Sequence, residues 1–169
     1  SPDAVTHFSA GFHAAALDMS SFVIDRLEEI PQSGPVQFMQ QYASQSINYL
    51  PLFLSQKQVF SHMDFRLDNM RINGDDLMLF DWGECSLAAP GFDLAYFLVT
   101  SLTTQNRRTF ESTLLDTYHR VLTANGIQYD RDELFDSYRL ALPPGFYLAA
   151  LVLTRGNQDY GMTLAQRSL

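Results

Sequence analysis

Ser61-His62-Met63-Asp64-Phe65-Arg66-Leu67-Asp68-Asn69 and, a little further on, Asp81-Trp82-Gly83 decide how this chain is read. They spell H-x-D-x-x-x-x-N and then D-x-G. Between them, Met70 to Ile72 and Leu77 to Phe80 are apolar runs flanking Asn73-Gly74-Asp75-Asp76. Asn-Gly between two such runs signals a tight hairpin, because both residues tolerate positive φ. A hairpin brings its two ends together, so Asn69 at its entry and Asp81 at its exit can share one cation. An amide and a carboxylate suit Mg²⁺, which takes oxygen ligands and keeps part of its shell for phosphates or water. Asp64 stands beside them as a carboxylate able to orient a hydroxyl and accept its proton. Arg66 either points a fixed positive charge at a phosphoryl group or pairs with Asp68 or Glu84.

Working outward, the flanks read as helices. Asp3 to Ile30 carries apolar residues in steps of three and four, and Pro31 to Pro35 ends it. Val36 to Leu50 is a more polar helix, stopped by Pro51. Lys57 to Ser61 is a brief strand leading into the motif. Asp93 to Leu102 is helical. Thr109 to Thr123 places Phe110, Leu114, Leu115, Tyr118, Val121 and Leu122 on one face, with Gly126 as its cap. Asp130 N-caps a helix through Leu142, and Asp132, Glu133 and Asp136 suit the positive end of its dipole. Pro143-Pro144 interrupts, and Phe146 to Thr154 resumes the helical pattern. The fold class expected is α+β, mostly helical, with a small β-hairpin carrying the polar motif, as one domain over residues 1–169.

Composition narrows the function. The chain has 169 residues, 46% hydrophobic and 13% aromatic, enough for a packed core and too apolar for disorder. A net charge of −8 argues against nucleic acid as a partner, since phosphate backbones need clustered Lys and Arg. Both of the longest apolar stretches fall short of the roughly 20 residues a membrane span needs, so no membrane partner is expected. The single cysteine, Cys85, rules out an internal disulfide framework and fits a cytoplasmic setting. His7, His13 and His119 sit in helical patterns as structural residues. Phe146, Tyr147, Tyr160 and Trp82 read as packing.

The residues quoted, extended by Ala89-Pro90-Gly91-Phe92-Asp93-Leu94-Ala95, resemble the C-terminal lobe of the aminoglycoside phosphotransferase and choline kinase family, which has a protein-kinase-like fold. The family pattern is H-G-D-x-x-x-x-N, a strand ending in D-W or D-F, and a G-x-x-x-D-L-A stretch opening a helix, the last of which reads G-x-D-L-A in this chain. The segment spans roughly a fifth of the chain. The resemblance implies Asp64 as catalytic base, Asn69 and Asp81 as Mg²⁺ ligands, and His62 and Asp93 as braces of the loop. It implies ATP as co-substrate and a small-molecule hydroxyl as acceptor. Met63 departs from it by standing where glycine is usual, which crowds the loop.

The same resemblance implies an N-terminal lobe that covers the ATP phosphates. This chain has no G-x-G-x-x-G, and its one lysine, Lys57, lies just before the motif. The expectation is therefore a C-terminal lobe fragment, inactive alone, of a phosphotransferase. Two other classes stay open. One is a non-catalytic kinase-like module for binding or scaffolding. The other is a metal-dependent hydrolase using His62, Asp64 and Asp81, though no second H-x-D or H-x-x-x-H supplies the further ligands it needs.

Overall fold

The computed structural model describes residues 34–142 together with the isolated positions Asp25, Val152, Asp159, Tyr160 and Thr163. The helices expected over Asp3 to Ile30 and Phe146 to Thr154 lie, apart from Asp25 and Val152, outside the described residues. The chain divides into two units, Ser1–Ser55 with Pro143–Leu169, and Gln56–Leu142. In the first, the helix whose bounds are described is α1, Gly34–Leu54. Pro35 stands in its first turn, where a missing N–H is tolerated. Pro51 does not stop it: the proline falls inside the last turn. The carbonyl of Pro51 still accepts from the N–H of Ser55 at 3.0 Å. A proline removes one donor but keeps its acceptor, so this close to the end the helix finishes its turn.

The second unit carries the motif. Its elements run β1 (Val59–Ser61), a 3₁₀ turn (Leu67–Asn69), β2 (Met70–Asn73), β3 (Asp76–Leu79), a second 3₁₀ turn (Trp82–Glu84), β4 (Ser86–Ala88), α2 (Phe92–Ser101), α3 (Thr104–Ala124) and α4 (Arg131–Ala141). The architecture is mostly helical α+β with two small antiparallel ladders. In the first, Val59 faces Ala88 and Ser61 faces Ser86. In the second, Met70 faces Leu79 and Asn73 faces Asp76. The loop residues of that hairpin are Gly74 and Asp75, not Asn73 and Gly74. Gly74 takes φ 64° and Asp75 does not enter the positive region. A glycine of positive φ followed by a residue of negative φ is the pattern of a type II′ turn. β4 was not expected from the sequence; Ser86-Leu87-Ala88 is too short and too weak in β-propensity to declare itself.

The core of this unit is built from α2, α3 and α4. Phe92, Ala95, Leu98 and Val99 of α2 are buried, as are Leu134, Ser137, Tyr138 and Ala141 of α4. Both sets follow helical spacing. On α3 the buried residues are Arg107, Leu115 and Leu122, whereas Phe110 and Val121 are exposed. The helix also begins earlier than expected, at Thr104, because Thr103 caps it by accepting from the N–H of Asn106. Its far end closes with Gly126 at φ 80°. There the N–H of Ile127 reaches the Leu122 carbonyl and that of Gly126 the Thr123 carbonyl, the pairing of a Schellman motif. Asp130 caps α4 with one oxygen shared between the N–H groups of Asp132 and Glu133. No helix among the described residues is long and apolar enough to cross a membrane.

Candidate functional site

The candidate site is the loop between β1 and β2 together with the turn after β3. Its first anchor is the helix that follows. Asp93, in the first turn of α2, accepts the backbone N–H of His62 through Oδ2 at 2.7 Å and that of Met63 through Oδ1 at 2.9 Å. Two N–H donors on one carboxylate form charge-assisted bonds, stronger than ordinary ones. Met63 is bent into the left-handed region, φ 69°. This is where the backbone requires what glycine provides without strain.

His62 is buried, and its Nε2 lies 2.8 Å from the carbonyl of Phe80. A carbonyl only accepts, so Nε2 carries the proton. This bond joins the loop to the end of β3. The ring also packs against Trp82, with centroids 4.7 Å apart. A second link runs beside it: the N–H of Phe80 donates to the Asn69 carbonyl at 2.9 Å. The hairpin ladder therefore continues one step past its strands, and Asn69 faces the residue before Asp81.

Asp64 and Asn69 are brought into direct contact. The Asn69 amide nitrogen donates to the Asp64 carbonyl at 2.9 Å and to its Oδ2 at 2.8 Å. The other Asp64 oxygen lies 3.2 Å from Nε of Arg66, whose Nη1 is 3.8 Å from Asp68. Of the two partners expected for Arg66, Asp68 is the one it meets, and Asp64 is a further one. Asp81 is exposed, at φ 57° and ψ 62°, a conformation aspartate tolerates better than most residues. Among the described residues its carboxylate receives no hydrogen bond. No three His, Cys, Asp or Glu side chains gather as a metal site among the described residues. The two ligands expected from the sequence, Asn69 and Asp81, are an amide and a carboxylate, which would suit a hard cation that completes its shell with other oxygens.

Ser101 is a contact the sequence reading missed. At the last position of α2, its Oγ accepts from the N–H of Leu67 at 3.0 Å. Ser101 lies eight residues after Asp93, a little over two helical turns along α2. Below the loop, the Tyr118 hydroxyl is held above its ordinary pKa, first by burial and then by the negative charge of Asp93.

This geometry defines a small mixed domain with an acidic loop held by one helix. A family model described as "Uncharacterized oxidoreductase dhs-27" matches residues 12–155. That is most of the chain, and the chain belongs to this family. No curated protein matches it significantly. The match corrects two expectations. The resemblance to the aminoglycoside phosphotransferase and choline kinase family does not give the chain its family. The enzyme class drawn from it, a small-molecule kinase, falls with it, since the family's description is of an oxidoreductase without characterised chemistry. The misleading signal was local: short polar motifs at matching spacing in one segment of the chain.

An oxidoreductase description implies a dinucleotide cofactor, and the described residues form no seat of the Rossmann kind for one. None of the nine glycines stands at G-x-G spacing. The described strands pair antiparallel, without the parallel strand-turn-helix unit that seats a pyrophosphate.

Proposed function

We propose that the loop from Ser61 to Asn69, with Asp81, binds a divalent cation together with a phosphate-bearing small molecule, Mg²⁺ and ATP being the first pair to test. In this reading the chain is a binding module, and the finer fold reading, a protein-kinase-like C-terminal lobe, describes its frame. The order of loop, hairpin, D-x-G turn and helix supports that frame.

The observation that carries the proposal is the polarity of the Asn69 amide. Its nitrogen is committed to the Asp64 carbonyl and carboxylate, both acceptors. Its Oδ1 is therefore the end turned away from Asp64, a neutral oxygen donor held in one orientation. Asp81 adds an exposed carboxylate at the exit of the same hairpin. Arg66, half exposed and paired with Asp68 at 3.8 Å, can exchange that partner for a phosphate oxygen. With so few protein ligands the cation alone should bind weakly, and phosphate oxygens should tighten it.

The test is titration of Mn²⁺ and ATP, separately and together, into the 169-residue chain and its Asp81→Ala and Asn69→Ala variants. The pair should bind the parent more tightly than Mn²⁺ alone does. Each substitution should weaken binding of the pair by at least about tenfold. Equal binding by parent and Asp81→Ala refutes the site.

A further inference from the structure

The 3₁₀ turn Leu67–Asn69 has no cap of its own. The residue before it, Arg66, makes no side-chain capping bond, and its backbone is extended. The N–H of Leu67 is the donor such a turn leaves unpaired at its start. Inside the turn, the Asn69 N–H reaches the Arg66 carbonyl at 3.0 Å, and the Met70 N–H closes onto Leu67. Two donors remain, those of Leu67 and Asp68; Asp68 is exposed, and the Leu67 N–H is taken by Ser101, thirty-four residues away in sequence. A cap that the sequence usually supplies locally is here supplied by the end of another helix.

We infer that Ser101 is a positioning residue of the candidate site: its hydroxyl fixes the turn and so sets where the Asn69 amide oxygen stands. The inference rests on the cation–phosphate reading of that site. The Asn69 side chain leaves the third residue of a three-residue turn, so rotation of that turn moves its oxygen directly. Asp93 fixes the opposite end of the loop at His62 and Met63. With Ser101 in place, both ends are referred to α2. Without it, the segment from Asp64 to Asn69 is held by its own short-range bonds, by the packing of Phe65 on Phe97 of α2 with ring centroids 5.7 Å apart, and by the hairpin, none of which fixes the Leu67 N–H. Such supporting contacts typically change metal affinity by about 10- to 100-fold when removed.

The experiment uses the 169-residue chain with Mn²⁺ and ATP as probes, and compares the parent with Ser101→Ala, Ser101→Thr and Asp81→Ala. Binding is read by paramagnetic resonance of free Mn²⁺ and by fluorescence of Trp82, the only tryptophan and the neighbour of Asp81. Amide exchange at Leu67 is followed in the metal-free proteins. Ser101→Ala should weaken Mn²⁺–ATP binding by at least about tenfold and speed exchange at Leu67, with the hairpin amides of Met70 to Leu79 unchanged. Ser101→Thr, which keeps the hydroxyl, should restore most of both. If Ser101→Ala binds as the parent does, or Leu67 exchange is unchanged, the positioning role is overturned. Hairpin exchange that quickens in step with Leu67 overturns it too, by making the serine a general stabiliser. If Asp81→Ala also binds as the parent does, or the parent binds nothing, the site itself is refuted and the role of Ser101 with it.

Discussion

Gly91 donates its backbone N–H to Oγ of Ser137 at 3.0 Å, and the start of α2 rests directly on the backbone of α4. A Cβ at position 91 would stand 2.5 Å from the Tyr138 Cα and 2.6 Å from the Ser137 carbonyl carbon. Those atoms are main chain inside a helix and cannot swing aside. Since α2 carries Asp93 and Ser101, the loop's position depends on this close approach.

Gly91→Ala should therefore destabilise the second unit by about 3 kcal/mol or more, the upper part of the range for overpacking. Urea unfolding followed by circular dichroism measures it. A midpoint equal to that of the parent would show that the two helices can separate without cost.

Met63 sits at φ 69°, and a non-glycine residue in that region carries roughly 1–2 kcal/mol of strain. Met63→Gly relieves it while giving up some chain entropy and side-chain contact. The expected result is a stability equal to the parent or higher by up to about 1 kcal/mol. Met63→Val should be clearly destabilised, because a β-branched side chain tolerates positive φ worst. The ranking Gly, Met, Val in denaturant midpoints tests the point, and Val above Gly would contradict it.

Tyr138 is buried, and its hydroxyl donates to Glu111, whose Oε1 also takes a bond from Arg107 at 3.2 Å. Burial first, and then the bond to Glu111, push the Tyr138 pKa up from 10.0. Burial also raises those of Tyr118 and Tyr129. A raised pKa means the folded chain holds its proton where the unfolded chain has begun to release it. Stability is then full below the ordinary tyrosine pKa and declines as pH rises beyond it. Thermal midpoints should be level in neutral buffer and fall above pH ~10. Tyr138→Phe should flatten that fall; a fall of the same steepness would contradict the prediction.

Asp93→Asn keeps the shape of the side chain but leaves one acceptor for two N–H donors and turns an amide N–H₂ towards the other. Bonds to a charged group are worth about 1.5–3 kcal/mol each, so a loss of about 2–3 kcal/mol is expected. Amide exchange should quicken at His62 and Met63 before it does at Leu98 or Val99. Uniform quickening would argue that Asp93 serves the core rather than the loop.

The helices of the second unit were legible because their buried positions recur at helical spacing, as with Leu134, Tyr138 and Ala141. The hairpin was legible through Gly74, though its turn centre shifts by one residue. On α3 the apolar pattern misled: Arg107 and Glu111 occupy the inner side, where Glu111 takes bonds from Arg107 and from Tyr138, and buried polar residues look like surface ones in a sequence. Within the site, Asp64, Asn69 and Asp93 were named from motif spacing. Ser101 was not, because a serine that caps a distant turn has no local signature. The family could not be read from the motif, since a few polar residues at matching intervals occupy too little of the chain to carry membership.

The double attachment of the loop to α2 makes that helix a gauge of chain length. Eight residues from Asp93 to Ser101 set a distance of about 12 Å along the axis. Each residue also turns the helix by about 100°. One residue added between the two anchors would carry Ser101 to the far flank and take its oxygen away from Leu67. One residue added between Met63 and Leu67 would leave a bulge that neither anchor can absorb. The stretch from His62 to Ser101 can thus accept extra residues where the hairpin points outward at Gly74 and Asp75, and not within the loop or between the anchors on α2.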